Sequence, residues 1–224
     1  MRKLKIKATK IKSPECYHLQ FKNHYEMCLA LVRIQEFYES SSNRFREHHF
    51  SLEEYMDWYS QEYGKGVFTY PDDWDGFNIP SHILGRFLST FKWDLRPWEL
   101  DLIWALEEAG VDIGEVDCDK HQFYVIGTVL DDNPVNFKHE LCHGLFYMNS
   151  KYRAEVERVV KKYKLGGFRK KLLKLGYSKL VLIDEIQAYL LTETCGSFEF
   201  VLTKEVKALQ RELRAIRKEY VEGR

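Results

Sequence analysis

Residues 122–143 read QFYVIGTVLDDNPVNFKHELCH, which is a β-branched and aromatic run, a turn, and a helix that carries the pattern H-E-x-x-H. On an α-helix, side chains four residues apart lie on the same face, with Cβ atoms about 5–6 Å apart. His139 and His143 can therefore bind one metal ion together, and Glu140 lies beside them without being a ligand. Two imidazoles and a carboxylate in this order are typical of metal-assisted hydrolysis. The alternative is that two exposed helix histidines flank a glutamate by chance.

The composition is that of a compact globular protein. The chain has 224 residues, of which 45% are hydrophobic and 15% aromatic, so it can bury a sizeable core. Its 34 basic and 34 acidic residues cancel, so the net charge favours neither a nucleic-acid partner nor an anionic membrane. We therefore expect no nucleic acid and no membrane among its partners.

Cysteine usage favours a reducing compartment, because the five cysteines are scattered and form no C-x-x-C pair. They are Cys16, Cys28, Cys118, Cys142 and Cys195. The N-terminus is basic but lacks the apolar segment of a secretory signal, and no apolar run approaches the roughly 20 residues of a membrane helix. We expect a cytoplasmic protein, or one that is exported as an effector without a conventional signal peptide.

Hydrophobic periodicity predicts a mainly helical α+β chain. Strands are predicted over 3–12, as an exposed basic edge, and over 122–130. Helices are predicted over about 21–40, 51–63, 81–91, 97–109, from Pro134 through the H-E-x-x-H pattern, over 150–164, before Gly176, and over 178–192. The segment 69–80, rich in turn formers and aromatics, is predicted to be a structured loop. We expect one domain, 1–224, with a mostly helical part at 1–120, a metal-site core at 121–192 and a C-terminal helix at 200–224.

The C-terminal helix carries an apolar stripe at spacings of three and four residues. Its members are Val206, Leu209, Leu213, Ile216 and Tyr220. Such a stripe either docks onto the helix's own domain or forms the seam of a homodimer. Docking onto the same chain is the preferred interpretation, and a homodimer is the alternative.

A catalytic zinc needs a third protein ligand, which must come from another part of the chain. The other six histidines all precede the pattern: His18, His24, His48, His49, His82 and His121. No H-x-x-G-x-x-H continuation follows His143, so the metzincin pattern is excluded. A downstream ligand must therefore be a carboxylate or Cys195. Asp184 and Glu185 lie within the otherwise apolar run 180–191, where a buried carboxylate needs a partner.

Together with H-E-x-x-H, the sequence Glu185-Ile-Gln-Ala188 resembles the gluzincin group of zinc metallopeptidases over about residues 122–192. The resemblance implies a zincin-like fold, in which a small sheet with an edge strand at about 122–130 packs against the H-E-x-x-H helix. It also implies that His139, His143 and Glu185 hold one Zn²⁺ ion. Tyr189 stands where some of these families have an aspartate or asparagine, so the resemblance is to the group and to no single family within it.

The remaining roles follow from this site. Glu140 is the predicted general base, and Asp184 is expected to form a hydrogen bond with a ligand histidine, or to replace Glu185 as the third ligand. Tyr189 and Tyr147 are candidate donors to the oxyanion, although either can be a packing residue. An edge strand would bind an extended substrate by main-chain pairing, at Tyr124, Ile126 and Thr128.

Three classes of function fit these residues. The first is a zinc endopeptidase that acts on selected protein or peptide substrates. The second is a zinc hydrolase of a non-peptide or terminal amide bond. The third is a catalytically degenerate zincin fold that serves as a binding or regulatory module. Zinc content separates the first two classes from the third.

Overall fold

The computed structural model describes residues 3–12, 15–115, 122–130, 134–174, 177, 179, 181–192 and 203–222. The chain forms two compact units, Met1–Asn136 and Phe137–Arg224. The boundary lies within the helix that carries H-E-x-x-H and not at residue 120, so the predicted metal-site core at 121–192 is divided between the units. Mainly helical α+β architecture, with one small sheet in the described residues, is confirmed.

The first unit contains a four-stranded mixed sheet. Its strands are β1 (Lys7–Lys12), β2 (Glu15–Phe21), β3 (Phe77–Pro80) and β4 (Tyr124–Val129), in the order β1-β2-β4-β3. β2 pairs with β4 in parallel, and the two other pairings are antiparallel. The basic strand predicted within 3–12 is confirmed as β1, and it lies at one edge of the sheet.

The predicted edge position of the strand at 122–130 is wrong. β4 lies between β2 and β3, so its main chain already pairs on both sides. Every residue of β4 is buried, which explains why its sequence is a continuous apolar run without alternation. A strand that is paired on both sides has no free main-chain edge for an extended substrate.

The described residues of the first unit form five α-helices, α1 (His24–Glu39), α2 (Leu52–Glu62), α3 (Tyr70–Asp73), α4 (Ser81–Thr90) and α5 (Pro97–Glu108), and a short 3-10 helix at Ile113–Glu115. Ser51 begins α2 with a capping box, since its side chain accepts from the amide of Glu54 and the Glu54 side chain accepts from the amide of Ser51. The prediction of a loop over 69–80 is wrong, because that segment contains α3 and β3. Tyr70 is fully buried at the start of α3, so tertiary packing orders a segment that has weak local propensity.

Helix α1 packs against one face of the sheet at Gly127 of β4. A Cβ atom at Gly127 would lie 2.5 Å from the end of the Leu31 side chain of α1, so a larger residue there would have to displace that side chain. Leu31 and its neighbours on α1 pack with the inward residues of β2, Tyr17, Leu19 and Phe21, to form the core of the first unit. The core is strongly aromatic, with stacked and edge-on rings from α2 to α4.

Arg33 is a buried cation in this unit, and all of its N–H groups donate hydrogen bonds. Arg33 of α1 is 1% exposed. Its guanidinium donates to both carboxylate oxygens of Glu99 at 2.7 Å, to the side chain and main-chain oxygen of Asp94, and to the main-chain oxygen of Phe50. These five hydrogen bonds match the five N–H groups of an arginine.

The described part of the second unit is helical: α6 (Pro134–Met148), α7 (Ser150–Val160), α8 (Gly166–Lys174), α9 (Leu182–Thr192) and α10 (Lys204–Glu222). The predicted cap of α7 is displaced by one residue, because Asn149 accepts from the amide of Tyr152. Gly166 begins α8, and Ser178, the predicted cap of the next helix, lies outside the described residues. No helix within these ranges is long and apolar enough to cross a membrane.

The apolar stripe of α10 packs within its own unit. Val206, Leu209, Leu213 and Ile216 are buried in one cluster with residues of α7 and α9, and Tyr220 lies against it. The preferred interpretation of the stripe is therefore confirmed. A homodimer through the C-terminal helix stays a prediction.

Candidate metal centre

Helices α6 and α9 of the second unit bring the three predicted ligands together. The ligand atoms of His139, His143 and Glu185 all lie within 4.8 Å of one another. His139 Nε2 is 3.7 Å from Glu185 Oε2, and His143 Nε2 is 3.7 Å from Glu185 Oε1. The two rings face each other edge-on with centroids 4.9 Å apart, as expected for residues one turn apart on a helix.

The donor set and its spacing fit a divalent metal ion such as zinc. Distances of 3.7 Å are too long for hydrogen bonds. Ligand atoms bound to one zinc at 2.0–2.1 Å with tetrahedral angles are about 3.3 Å apart, so small side-chain shifts close the difference. Glu185 Oε2 is buried and has no hydrogen-bond partner among the described residues. A buried carboxylate oxygen without a donor is costly, and a cation between it and the imidazoles would satisfy it.

His143 is oriented by Asp184. Its Nδ1 lies 3.0 Å from Asp184 Oδ1, and a carboxylate can only accept, so Nδ1 carries a proton and Nε2 is the ring nitrogen directed at Glu185. Ligand histidines in metal sites commonly donate their second ring nitrogen to a carboxylate in this way. The predicted role of Asp184 as the partner of a ligand histidine agrees with this geometry. Glu185, not Asp184, belongs to the His-His-acid group.

His139 is oriented by Thr192, at the end of α9. Its Nδ1 lies 3.3 Å from Thr192 Oγ1, and the threonine hydroxyl donates to the Ala188 main-chain oxygen at 2.7 Å. The hydroxyl proton is therefore used, and the oxygen accepts from Nδ1–H of His139. The same arrangement as at His143 results, with Nε2 of His139 directed at Glu185.

The electrostatic setting of His143 is strongly acidic. Burial alone would lower the pKa of His143, but Asp184, Glu185 and Glu140 together raise this pKa well above its ordinary value. Three carboxylates around one buried imidazole favour an extra positive charge at this point. A proton on His143 or a bound metal ion can supply that charge.

A pair of tyrosines borders the cluster. The Tyr189 ring stands edge-on to the His139 ring with centroids 4.6 Å apart, and its hydroxyl lies 2.8 Å from the Tyr177 hydroxyl. Burial and the nearby charge of Glu185 raise the pKa of Tyr177 far above its ordinary value. The Tyr177 hydroxyl therefore stays protonated and can donate a hydrogen bond.

The other predicted site residues of this unit lie on α6. Glu140 is 8% exposed, and its charge contributes to the raised pKa values of both His143 and Tyr177, which places its carboxylate close to the cluster. Tyr147 is one turn beyond His143, and its main-chain oxygen accepts from Arg153 at 3.0 Å. A catalytic role for Tyr147 stays a prediction. Cys195, the other downstream ligand considered, lies outside the described residues.

Tyr124, Ile126 and Thr128, predicted to bind substrate, belong to β4 in the first unit. All three are buried. The Tyr124 hydroxyl donates to Asn78 at 2.7 Å, and Thr128 Oγ1 lies 2.9 Å from His18 Nε2. Burial, with the charge of Lys7, lowers the pKa of His18 to about 4, so this histidine is neutral near pH 7. These contacts are with sheet neighbours, and the main-chain pairing proposed for these residues requires an edge that β4 does not have.

Four residues of the site were not predicted from the sequence: Thr192, Tyr177, Gln187 and Tyr152. A signal existed for Thr192, which follows Glu185 by seven residues and so lies two turns along the same helix face. Tyr177 and Tyr152 reach the site from other helices or connections, and no spacing along the chain indicates them.

Comparisons with protein-family models, with characterised proteins and with solved protein structures found no match.

Proposed function

We propose that this protein is a zinc-dependent metallopeptidase that hydrolyses peptide bonds of selected protein substrates. His139, His143 and Glu185 would hold one Zn²⁺ ion, and Glu140 would be the general base. The observation that carries the proposal is the buried Glu185 Oε2, which has no hydrogen-bond partner in the described chain and lies 3.7 Å from an imidazole nitrogen.

The hydrogen bonds that orient both histidines support a metal-binding role over a purely structural one. Each Nδ1 has an acceptor, Asp184 for His143 and Thr192 for His139, so that both Nε2 atoms face the same carboxylate. A pair of packing histidines would not need identical tautomers. Preorganised ligands of this kind raise metal affinity, because little ordering remains to be done on binding.

When bound, zinc would lower the pKa of a water molecule to about 7 and so make it a nucleophile at neutral pH. Glu140, which follows His139 on α6, would accept a proton from that water and deliver it to the leaving amine. Glu140 is only 8% exposed, so proton exchange between its carboxylate and bulk water is limited.

The tyrosine pair supports the same chemistry. The hydroxyls of Tyr177 and Tyr189 are hydrogen-bonded to each other, 2.8 Å apart, and the Tyr189 ring contacts the His139 ring. Because the Tyr177 pKa is raised, the Tyr177 hydroxyl keeps its proton near neutral pH. We infer that the pair donates to the oxyanion that develops when the substrate carbonyl is attacked.

The test is zinc content and peptide cleavage in matched variants. Glu140→Gln should retain one zinc per chain and lose about 10²–10⁴-fold in cleavage rate, because only proton transfer is removed. Glu185→Ala should lose the zinc itself. The control is Glu157→Gln, which removes a carboxylate from an exposed pair with Lys161 and should change neither quantity.

Two outcomes would contradict the proposal. A purified protein that binds no zinc and gains none by titration would exclude the metal role. A protein that binds zinc but cleaves no member of a broad fluorogenic peptide library would point to a hydrolase of another bond, or to a binding module.

A further inference from the structure

A buried chain of hydrogen bonds runs from His143 into the core of the second unit. Asp184 Oδ1 accepts from His143 Nδ1 at 3.0 Å and from Gln187 Nε2 at 3.0 Å. Gln187 Oε1 in turn accepts from the Tyr152 hydroxyl at 2.9 Å. Gln187 and Tyr152 are both 0% exposed, and they join α9 to α7.

The direction of each hydrogen bond in this chain is determined by the carboxylate at its end. Asp184 can only accept, so the Gln187 amide must present its NH₂ group to it. The carbonyl oxygen of the amide then faces Tyr152, whose hydroxyl must donate. The same carboxylate requires His143 to carry its proton on Nδ1. One orientation of four side chains is therefore consistent with all three bonds.

We propose that Gln187 and Tyr152 are positioning residues that hold Asp184 in place, and that they thereby keep Nε2 of His143 available as a metal ligand. This inference rests on the proposed function, because the metal is what Nε2 would bind. Asp184 is 22% exposed and would have other rotamers open to it without the amide. The buried pair fixes it at the one position from which it reaches His143.

Burying the polar groups of Tyr152 and Gln187 costs free energy, which packing alone does not explain. Tyr152 and Gln187 lie among the apolar residues of α7, α9 and α10, where a leucine and a phenylalanine would avoid the cost of burying two polar groups. A polar chain in such a core is stabilising only when every member is bonded. Here the hydrogen bonds lead from Tyr152 through Gln187 to Asp184, and Asp184 accepts from His143, a candidate metal ligand.

The experiment measures zinc affinity by competition with a chromogenic chelator in three variants. Gln187→Met keeps the side-chain length but removes both hydrogen bonds, and the zinc dissociation constant should rise about 10–100-fold. Tyr152→Phe removes only the hydroxyl and should cause a smaller rise in the same direction. Tyr220→Phe is the control, because it removes a hydroxyl that donates to the Glu155 carboxylate in the same helix cluster, and its affinity should equal that of the wild type.

A second readout needs no zinc. In the metal-free protein the ring Nδ1–H of His143 should exchange slowly with water by NMR, and it should exchange faster in Gln187→Met and Tyr152→Phe. If the wild-type protein binds no zinc but its His143 Nδ1–H exchanges slowly, the positioning role is supported and the proposed function fails. If a folded Gln187→Met protein has the zinc affinity and the His143 Nδ1–H exchange rate of the wild type, the positioning role is overturned.

Two further results are decisive. If Gln187→Met does not fold, the more conservative Tyr152→Phe decides, and unchanged affinity and exchange in that variant would overturn the inference. If Tyr220→Phe weakens zinc binding as much as Tyr152→Phe does, the loss of any hydroxyl in this helix cluster weakens zinc binding. A specific positioning role for Tyr152 is then excluded.

Discussion

The two units each bury a carboxylate beside nitrogen groups, but they satisfy it differently. In the first unit, both oxygens of Glu99 accept from Arg33 at 2.7 Å, and every N–H group of that arginine is bonded. In the second unit, both oxygens of Glu185 lie 3.7 Å from imidazole nitrogens, and Oε2 has no hydrogen-bond partner in the described residues. The Glu99 side chain is 3% exposed and the Glu185 side chain is 10% exposed, so burial alone does not distinguish them.

The difference separates a structural charge cluster from a candidate metal site. A buried ion pair is tolerated in a protein core when hydrogen bonds satisfy all its donors and acceptors, as Arg33 and Glu99 do. Two imidazole nitrogens and a carboxylate that face one point at distances too long for hydrogen bonds leave a place for a metal ion. The first cluster has its cation within the chain, whereas the second could hold a metal ion.

The largest expected effect is on the first cluster. Glu99→Ala should reduce the free energy of unfolding by about 3–5 kcal/mol, because it leaves the buried Arg33 without its bidentate partner. Urea denaturation followed by circular dichroism measures this. Glu185→Ala in the metal-free protein should cost less, since Glu185 has an unpaired oxygen. An equal or greater loss for Glu185→Ala would show that both clusters are structural.

A smaller effect is expected from zinc on the second cluster. Zinc at 100 times its dissociation constant should stabilise the wild type by about 2.7 kcal/mol, because only the folded chain presents the three ligands together. Glu185→Ala should show no such gain, and Glu99→Ala should show the full gain from its lower baseline. Thermal unfolding with and without zinc measures all three proteins. A zinc effect that disappears in Glu99→Ala would contradict the separation of the clusters.

The smallest effect is a pH dependence of the metal-free protein. The pKa of His143 is raised in the folded state, so the folded chain binds a proton that the unfolded chain releases near pH 6.5. The stability from this proton is complete below about pH 6.5 and is lost as pH rises through the folded pKa, with a slope of at most about 1.4 kcal/mol per pH unit.

Zinc reverses the sign of this pH dependence, because the metal and the proton compete for His143 Nε2 and zinc affinity falls as pH is lowered. Unfolding curves between pH 6 and 9, with and without zinc, measure both directions. His143→Gln is the control for the metal-free series, and it should remove the decline above pH 6.5. A decline that persists in His143→Gln would assign the titration to another group.

Local sequence patterns predicted most of the helices, and they predicted that His139, His143 and a later acid lie together. The spacing of His139 and His143 requires only that the segment be helical, and the apolar run around Glu185 requires only that it be buried. Both conditions depend on nearby residues, so the sequence was sufficient. The capping of α2 by Ser51 was predictable for the same reason, because the capping box spans four residues.

Predictions that depended on partners distant in sequence were less successful. The strand at 122–130 was correct as a strand but wrong as an edge, because β3 comes from a segment that reads as a loop and pairs only through the tertiary fold. Thr192, Gln187, Tyr152 and Tyr177 were missed, since a side chain becomes part of the site through its distance in space. Hydrogen-bond partners separated by up to 53 residues leave no periodic pattern.

The sequence by itself determined that this chain is mainly helical, that His139, His143 and a later acid are the candidate metal ligands, and that Glu140 stands beside them. These conclusions follow from helical spacing and from the cost of burying an unpaired carboxylate. The tertiary structure decided which acid faces the imidazoles, which tautomer each histidine adopts, and that β4 is enclosed within its sheet. Those properties depend on which atoms meet when α6, α7 and α9 pack, and on which strands pair, and only the folded chain brings those atoms together.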